Sequence, residues 1–91
     1  MTLFSTHVAL NKTTTAGTAT TIVSRSGKNP IKWFTLIVDE DAYLGINTDA
    51  ASGEINLKSG ETYTTPTKVR VISLSIMRVT NNVTVRGSAW V

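Results

Sequence analysis

Hydrophobic and polar side chains alternate along residues 72–91, on both sides of Asn81-Asn82. The alternation predicts two β-strands joined by a two-residue turn, because asparagine tolerates the positive φ of a type I′ turn. One face of this C-terminal hairpin is apolar and is therefore predicted to lie in the core: Ile72, Leu74, Ile76, Val83, Val85 and Val91. The other face places Met77, Val79 and Trp90 among serines and Arg86, which predicts a surface that meets a partner.

Shorter segments of the same alternating kind recur along the rest of the chain. The predicted strands are residues 2–10, 18–24, 31–38, 42–46, 55–58 and 61–65, and the polar stretch from Asn11 to Gly17 is predicted to be a loop. Ser59-Gly60 marks either a tight hairpin, with Lys58 opposite Glu61, or a corner at which the chain changes sheet. Helix-forming residues do not accumulate at helical spacing. The sequence therefore predicts an all-β fold, a small antiparallel, jelly-roll-like β-sandwich of seven to eight short strands. Residues 1–91 form a single domain, with residues 1–10 as its first strand or as an N-terminal arm.

The segment from Ile31 to Val38 is apolar on both of its faces. One face holds Ile31, Trp33, Thr35 and Ile37, and the other holds Lys32, Phe34, Leu36 and Val38. A sheet in an isolated sandwich has a polar outer face, so the outer side of this strand is predicted to be covered. Either a loop of the same chain or another subunit supplies the cover.

Composition and charge narrow the classes of partner. The chain has no cysteine, which excludes disulfide bonds and thiolate metal sites. It shows no basic and apolar leader and no apolar stretch long enough to span a bilayer, so we expect a soluble protein made in a cytoplasm, without a membrane partner. The net charge is +3, and the basic residues are scattered along the sequence, with Arg25, Lys28 and Lys32 around one turn. That turn is predicted to be a solvated loop, and nucleic acid is not the expected partner.

Residues able to carry catalysis are few. His7 is the single histidine and has no acidic neighbour in sequence, so it is predicted to lie at the surface or in an interface. Asp39, Glu40 and Asp41, with Asp49, offer oxygen ligands for Ca²⁺ or Mg²⁺, but they lack the spacing of a calcium loop and are predicted to form a solvated turn. No nucleophile elbow or phosphate-binding glycine motif is present. The sequence predicts neither catalytic residues nor a metal or cofactor.

The C-terminal part of the chain resembles a known group of proteins. Residues 55–63 (INLKSGETY), 71–76 (VISLSI) and 83–90 (VTVRGSAW) are similar in style to small all-β structural proteins of tailed bacteriophage virions. That group includes capsid decoration proteins, head-fibre bases and small tail proteins. The resemblance implies a homo-oligomer, often a trimer, that binds the major capsid protein or another virion protein. It also implies location in the virion after synthesis in the host cytoplasm.

The leading hypothesis is therefore a non-enzymatic virion protein that assembles and binds the capsid lattice through apolar patches. The candidate interface residues are Trp33, Phe34, Leu36, Tyr43, Met77, Val79, Arg86 and Trp90. Two alternatives remain open. One is a carbohydrate- or receptor-binding β-sandwich that uses an exposed aromatic ring, and the other is a small barrel that binds single-stranded nucleic acid.

Overall fold

The computed structural model describes residues 7–52, 55–66 and 68–91, and this part of the chain contains β-strands and no helix. Accordingly, no helix among these residues is able to cross a membrane. The strands are β1 (His7–Thr13), β2 (Thr20–Ser24), β3 (Trp33–Val38), β4 (Ala42–Ile46), β5 (Ile55–Leu57), β6 (Thr62–Thr64), β7 (Ser73–Arg78) and β8 (Thr84–Trp90). The prediction of an all-β protein with seven to eight short antiparallel strands is confirmed.

The eight strands form two four-stranded sheets. Sheet I has the order β1-β8-β3-β6, sheet II has the order β2-β7-β4-β5, and the strand pairs in both are antiparallel. Among the described strands, β4 and β5 are the only consecutive strands that pair with each other. At the other connections the chain passes from one sheet to the other, so most strand neighbours are distant in sequence.

A single cluster of buried apolar side chains lies between the sheets. Strict alternation along β3, β4, β7 and β8 turns every second residue inward, as the pleat of a strand requires. The most deeply buried large side chains are Phe34, Leu36, Val38, Leu44, Leu57, Val71, Leu74, Ile76, Val83 and Val85. Both sheets contribute to this set, so the core depends on their packing against each other.

The predicted C-terminal hairpin is wrong, although its inward face was assigned correctly in large part. β7 lies in sheet II and β8 lies in sheet I, so the two strands do not pair. Neither Asn81 nor Asn82 has the positive φ of a type I′ turn. Their side chains instead hold the crossing segment: Asn82 Oδ1 accepts a hydrogen bond from Arg78 Nη1 at 2.6 Å, and Asn81 Nδ2 donates to Glu40 Oε1 at 3.2 Å.

Residues of the predicted apolar face still point into the core. Leu74, Ile76, Val83, Val85 and Val91 are buried, whereas Ile72 is half-buried. A hairpin and a crossing between sheets demand the same alternation, because each strand has one face toward the core in either arrangement. The pattern therefore fixes the inward face and leaves the pairing partner undecided.

Ser59-Gly60 is a corner at which the chain changes sheet, the second of the two predicted alternatives. β5 belongs to sheet II and β6 to sheet I. The Glu61 amide donates to the Lys58 carbonyl at 2.8 Å, and Gly60 has φ +83°, as the third residue of a type II turn requires. The Lys58 amide in turn donates to Glu61 Oε1 at 2.8 Å, which closes the corner from both sides.

The first strand extends further than its sequence pattern indicated. Residues 2–6 of the predicted strand lie outside the described residues, whereas β1 pairs with β8 from His7 to Thr13, so the predicted loop from Asn11 is wrong in its first three residues. Thr14 continues the pairing: its amide donates to the Val83 carbonyl at 2.9 Å, and its Oγ1 accepts from the Val83 amide at 2.9 Å. The polar sequence suggested a loop because β1 is an edge strand whose outer residues face water.

Candidate functional site

The outer face of sheet I carries an exposed apolar stripe along β3. Trp33 and Ile37 point away from the core and are each 44% exposed, and Thr35 lies between them. β3 is a central strand of this sheet, with β8 on one side and β6 on the other. Among the described residues no loop of the chain covers this stripe.

A loop does cover the outer face of sheet II. Ala50 donates its amide to Ser75 Oγ at 2.7 Å, and Ser75 Oγ donates to the Thr48 carbonyl at 2.8 Å. Gly45 lies directly below, where an added Cβ would stand 2.5 Å from the Thr48 carbonyl oxygen. The loop after β4 therefore covers the part of this face around Gly45 and Ser75, whereas Tyr43 and Met77 on the same sheet stay half-buried.

Three aromatic rings form a row across sheet I at the end where β3 begins. His7, Trp90 and Trp33 occupy facing positions on β1, β8 and β3. The Trp90 ring lies 5.1 Å from the His7 ring and 5.0 Å from the Trp33 ring, tilted by 54° to each. Such tilted contacts stabilise aromatic pairs beyond their buried area. The row combines the exposed rings of His7 and Trp33 with the half-buried ring of Trp90.

The predicted interface residues fall into three places. Trp33, Arg86 and Trp90 share the outer face of sheet I, as the alternation of β3 and β8 places them. Phe34 and Leu36 are 0% and 1% exposed, so their assignment to an interface is wrong. The strand has two apolar faces, and only the structure decides which of them turns inward.

The other three predicted interface residues lie on the side of sheet II. Tyr43 and Met77 face each other across β4 and β7 and are half-buried, and Val79, which is 43% exposed, follows β7. The single surface predicted to contain Met77, Val79 and Trp90 does not exist, because β7 and β8 belong to different sheets. The error follows from the hairpin that the sequence suggested.

A depression of about 310 Å³ lies at the opposite end of the same outer face. Ile37 and Arg86 border it, together with the acidic turn and the Ser59-Gly60 corner. Asp39 Oδ1 accepts the Thr84 amide at 2.7 Å, so this carboxylate is engaged within the protein. Arg86 remains the exposed charged side chain that the depression offers to a partner.

The acidic turn connects three parts of the fold. Besides the bond of Asp39 to Thr84, Asp41 Oδ1 accepts the Ser59 amide at 2.8 Å. Asp49, which was considered as a fourth ligand of a metal, lies in the loop after β4, at the other end of the two sheets. Within residues 7–52, 55–66 and 68–91, no group of three or more His, Cys, Asp or Glu side chains is arranged to hold a metal ion.

His7 and Ser88 form a pair that the sequence did not indicate. His7 Nε2 lies 3.0 Å from Ser88 Oγ, a distance compatible with a nucleophile and its base. Ser88, however, lies in the middle of β8, with β1 paired on one side and β3 on the other. Backbone amides in these ladders are used in pairing, so they do not form an oxyanion hole. The contact therefore acts as a cross-strand hydrogen bond that orients the ring beside Trp90.

The described chain is thus an all-β protein of two antiparallel sheets with an exposed aromatic and apolar outer face on one of them. No family model matches the chain, and neither the curated proteins nor the solved structures gave a match.

Proposed function

We propose that the protein is a non-enzymatic structural component of a virion, of the capsid-decoration or head-fibre kind. It assembles with copies of itself and binds the capsid lattice, and the outer face of sheet I makes the contact. The location in the virion, after synthesis in the host cytoplasm, belongs to the same proposal. The resemblance of residues 55–90 to small phage virion proteins and two properties of the structure support it.

The first property is the order of the strands, which supports a jelly roll. A jelly roll consists of eight strands in two sheets, and its two Greek keys bring the first strand beside the last. The orders β1-β8-β3-β6 and β2-β7-β4-β5, with β1 next to β8, support this arrangement. Jelly rolls occur in viral capsid proteins and also in lectins, so a fold of this kind limits the classes of function but does not assign one.

The second property, which carries the proposal, is the apolar stripe on the outer face of sheet I. Trp33 and Ile37 are each 44% exposed on a central strand, where a sandwich that works alone has polar residues. Tryptophan and arginine are the residues most enriched at the energetic centres of interfaces, and Arg86 faces Ile37 across β8 and β3. This combination is typical of a surface that is buried in an assembly.

The size of the domain makes assembly favourable. A standard interface buries about 800 Å² on each partner. The exposed surface is 5149 Å², so one such contact would remove roughly a sixth of it. A partner that binds only the folded state stabilises it by mass action. This effect matters here because the free energy of unfolding of so small a domain is low. We therefore expect the assembled protein to unfold at a clearly higher temperature than the dilute protein.

Sedimentation velocity between about 1 and 100 μM tests self-assembly, a range chosen to bracket micromolar affinities. We expect a closed oligomer for the natural chain and a shift toward monomer for Ile37→Thr. Val79→Thr is the matched control, because Val79 has nearly the same exposure, 43%, but lies outside the outer face of sheet I. A natural chain that stays monomeric throughout the range, or equal effects of the two substitutions, would contradict the proposed contact.

A separate experiment tests the location in the virion. Mass spectrometry of purified virus particles from cells that produce the protein should detect it at a fixed ratio to the major capsid protein. Particles that assemble without the protein should bind it when it is added back, and Ile37→Thr should weaken this binding. Absence of the protein from purified particles would refute the virion assignment even if the chain assembles with itself.

A further inference from the structure

The loops at one end of the sandwich gather most of the basic residues of the chain. β2, β4 and β6 end at this side, so the described connecting residues 25–32, 47–52, 65–66 and 68–72 lie here together. They contain five basic residues, which we call the basic end: Arg25, Lys28, Lys32, Lys68 and Arg70. Of the described residues in these connections only Asp49 is acidic, and Glu54, outside the described residues, belongs to the same stretch of sequence.

The connections at the opposite end have the reverse balance of charge, with more acidic than basic residues. Its connections are 14–19, 39–41, 58–61 and 79–83, and they carry four acidic residues and one basic residue. The acidic residues are Asp39, Glu40, Asp41 and Glu61, and the basic residue is Lys58. Lys12, Arg78 and Arg86 lie on the strands near that end and offset its acidic residues, so the excess of positive charge that gives the chain its net charge of +3 lies at the basic end. A surface potential of one sign at one end attracts partners of the other sign.

Backbone hydrogen bonds fix the basic loops next to one another. The Arg25 amide donates to the Ile72 carbonyl at 2.8 Å, and the Ile31 amide donates to the Val71 carbonyl at 2.8 Å. Ile31 and Val71 form an antiparallel bridge, so Lys32 and Arg70 flank it on the same side. Both side chains are exposed. Two like charges held near each other repel, and an anion that binds between them is attracted by both.

Arg25 provides an additional cation at this end. Its side chain is partly buried, and its buried Nε has no hydrogen-bond acceptor among the described residues. A buried donor without an acceptor is costly, but this atom is closed off from solvent, so Arg25 acts on a bound anion through its charge.

An exposed aromatic ring directly adjoins the basic end. Trp33 follows Lys32 in the sequence and is 44% exposed, and the Lys32 amide donates to the Trp90 carbonyl at 2.7 Å. The row of His7, Trp90 and Trp33 thus lies at the same end of sheet I as the basic loops. Proteins that bind single-stranded nucleic acid combine these two elements, cations that follow the phosphates and aromatic rings on which bases stack.

We propose that the basic end binds single-stranded nucleic acid, with the phosphates on the five basic residues and one base on Trp33. An acidic protein surface is the competing partner. Three of the five cations are lysines, which protein interfaces tend to exclude, and nucleic-acid interfaces are much more positively charged than protein interfaces. The five basic residues lie in loops outside the apolar stripe, whereas Trp33 belongs to both surfaces, so a bound base and an assembly contact through the stripe compete for its ring.

Fluorescence anisotropy with labelled oligo(dT) of about 12 nucleotides measures the binding and its dependence on salt. Five phosphate contacts predict that log K falls with log[salt] with a slope of about −3.5, since each contact on a single strand contributes about −0.7. The double variant Lys32→Gln, Arg70→Gln should reduce the slope to about −2.1. Trp33→Ala should weaken binding by about tenfold, and oligo(dT) should quench the tryptophan fluorescence of the natural chain.

The matched control is Lys12→Gln, Lys58→Gln, which removes the same charge from exposed positions away from the basic end. It should leave the slope at about −3.5. Oligo(U) should bind with an affinity similar to that of oligo(dT). The affinity for a DNA duplex should be the same for Trp33→Ala as for the natural chain. Thermal melting of each variant establishes that it is folded before binding is compared.

Four outcomes would overturn the proposal. They are no binding at about 50 mM salt, an equal loss in the control and the basic-end variants, no effect of Trp33→Ala on oligo(dT) binding, and tighter binding of poly-L-glutamate than of oligo(dT). The last outcome would assign the basic end to an acidic protein partner. Two measurements separate this proposal from the assembly contact. The Lys32→Gln, Arg70→Gln variant should sediment like the natural chain, and Ile37→Thr should bind oligo(dT) at least as tightly as the natural chain, because it keeps Trp33 and all five basic residues.

Discussion

Asn47 holds the loop after β4 against the segment that leads into β7, and its replacement by alanine should be strongly destabilising. Asn47 Nδ2 donates to the Arg70 carbonyl at 2.6 Å, and Oδ1 accepts the amides of Ile72 at 2.6 Å and Ser73 at 3.3 Å. The residue also has φ +63°, a left-handed conformation that asparagine tolerates better than alanine. The exposed polar loop predicted from the sequence gave no sign of this role.

The expected loss follows from these contacts. Two short hydrogen bonds and one longer bond contribute about 2 kcal/mol in total, since a single bond is worth about 1 kcal/mol and this site is exposed to water. Alanine in the left-handed conformation adds about 1 kcal/mol. The sum is about 3 kcal/mol, which corresponds to a fall in Tm of roughly 15 °C for a domain of this size.

Urea unfolding followed by tryptophan fluorescence measures the effect, and three substitutions separate its parts. Asn47→Ala loses the bonds and is strained, Asn47→Gly loses the bonds without strain, and Asn47→Asp keeps the acceptor for Ile72 and Ser73. The expected order of destabilisation is Ala, then Gly, then Asp, with about 1 kcal/mol between Ala and Gly. If Asn47→Ala unfolds within about 0.5 kcal/mol of the natural chain, the hydrogen bonds do not stabilise the loop.

Three further pairs of substitutions test the packing of the two sheets. Gly87→Ala should lower the free energy of unfolding by about 3 kcal/mol, because an added Cβ would lie 2.0 Å from a carbonyl oxygen of β3. Gly27→Ala is the control, and it should be neutral in thermal melting because the space around Gly27 is open. Thr14→Val should lower the free energy of unfolding by about 1–3 kcal/mol, because it leaves the buried amide of Val83, just before β8, without its acceptor. Thr14→Ser keeps the hydroxyl and should restore most of this loss in urea unfolding. In the dilute monomer, Leu36→Ala should lower the free energy of unfolding by about 2–5 kcal/mol, and Ile37→Ala should lower it by under about 1 kcal/mol. Equal losses would contradict the assigned faces of β3.

The candidate site was only partly predictable because β3 is apolar on both faces. The sequence singled out Trp33, Phe34 and Leu36 together, yet Phe34 and Leu36 fill the core while Trp33 and Ile37 face outward. In a strand with one polar face, alternation decides which side turns inward. In β3 the decision comes from the neighbours, since only one face meets the apolar side chains of sheet II.

The sequence by itself determined the all-β class, the number of strands and most of the inward-facing residues of β7 and β8. These properties depend on local alternation and turn residues, which a short window of sequence contains. Tertiary structure alone decided that β7 and β8 separate into different sheets, that His7 joins Trp33 and Trp90 in one row, and that scattered basic residues meet at one end. The pairing of strands depends on packing between segments that are far apart in the chain, so the local alternation of residues does not predict it.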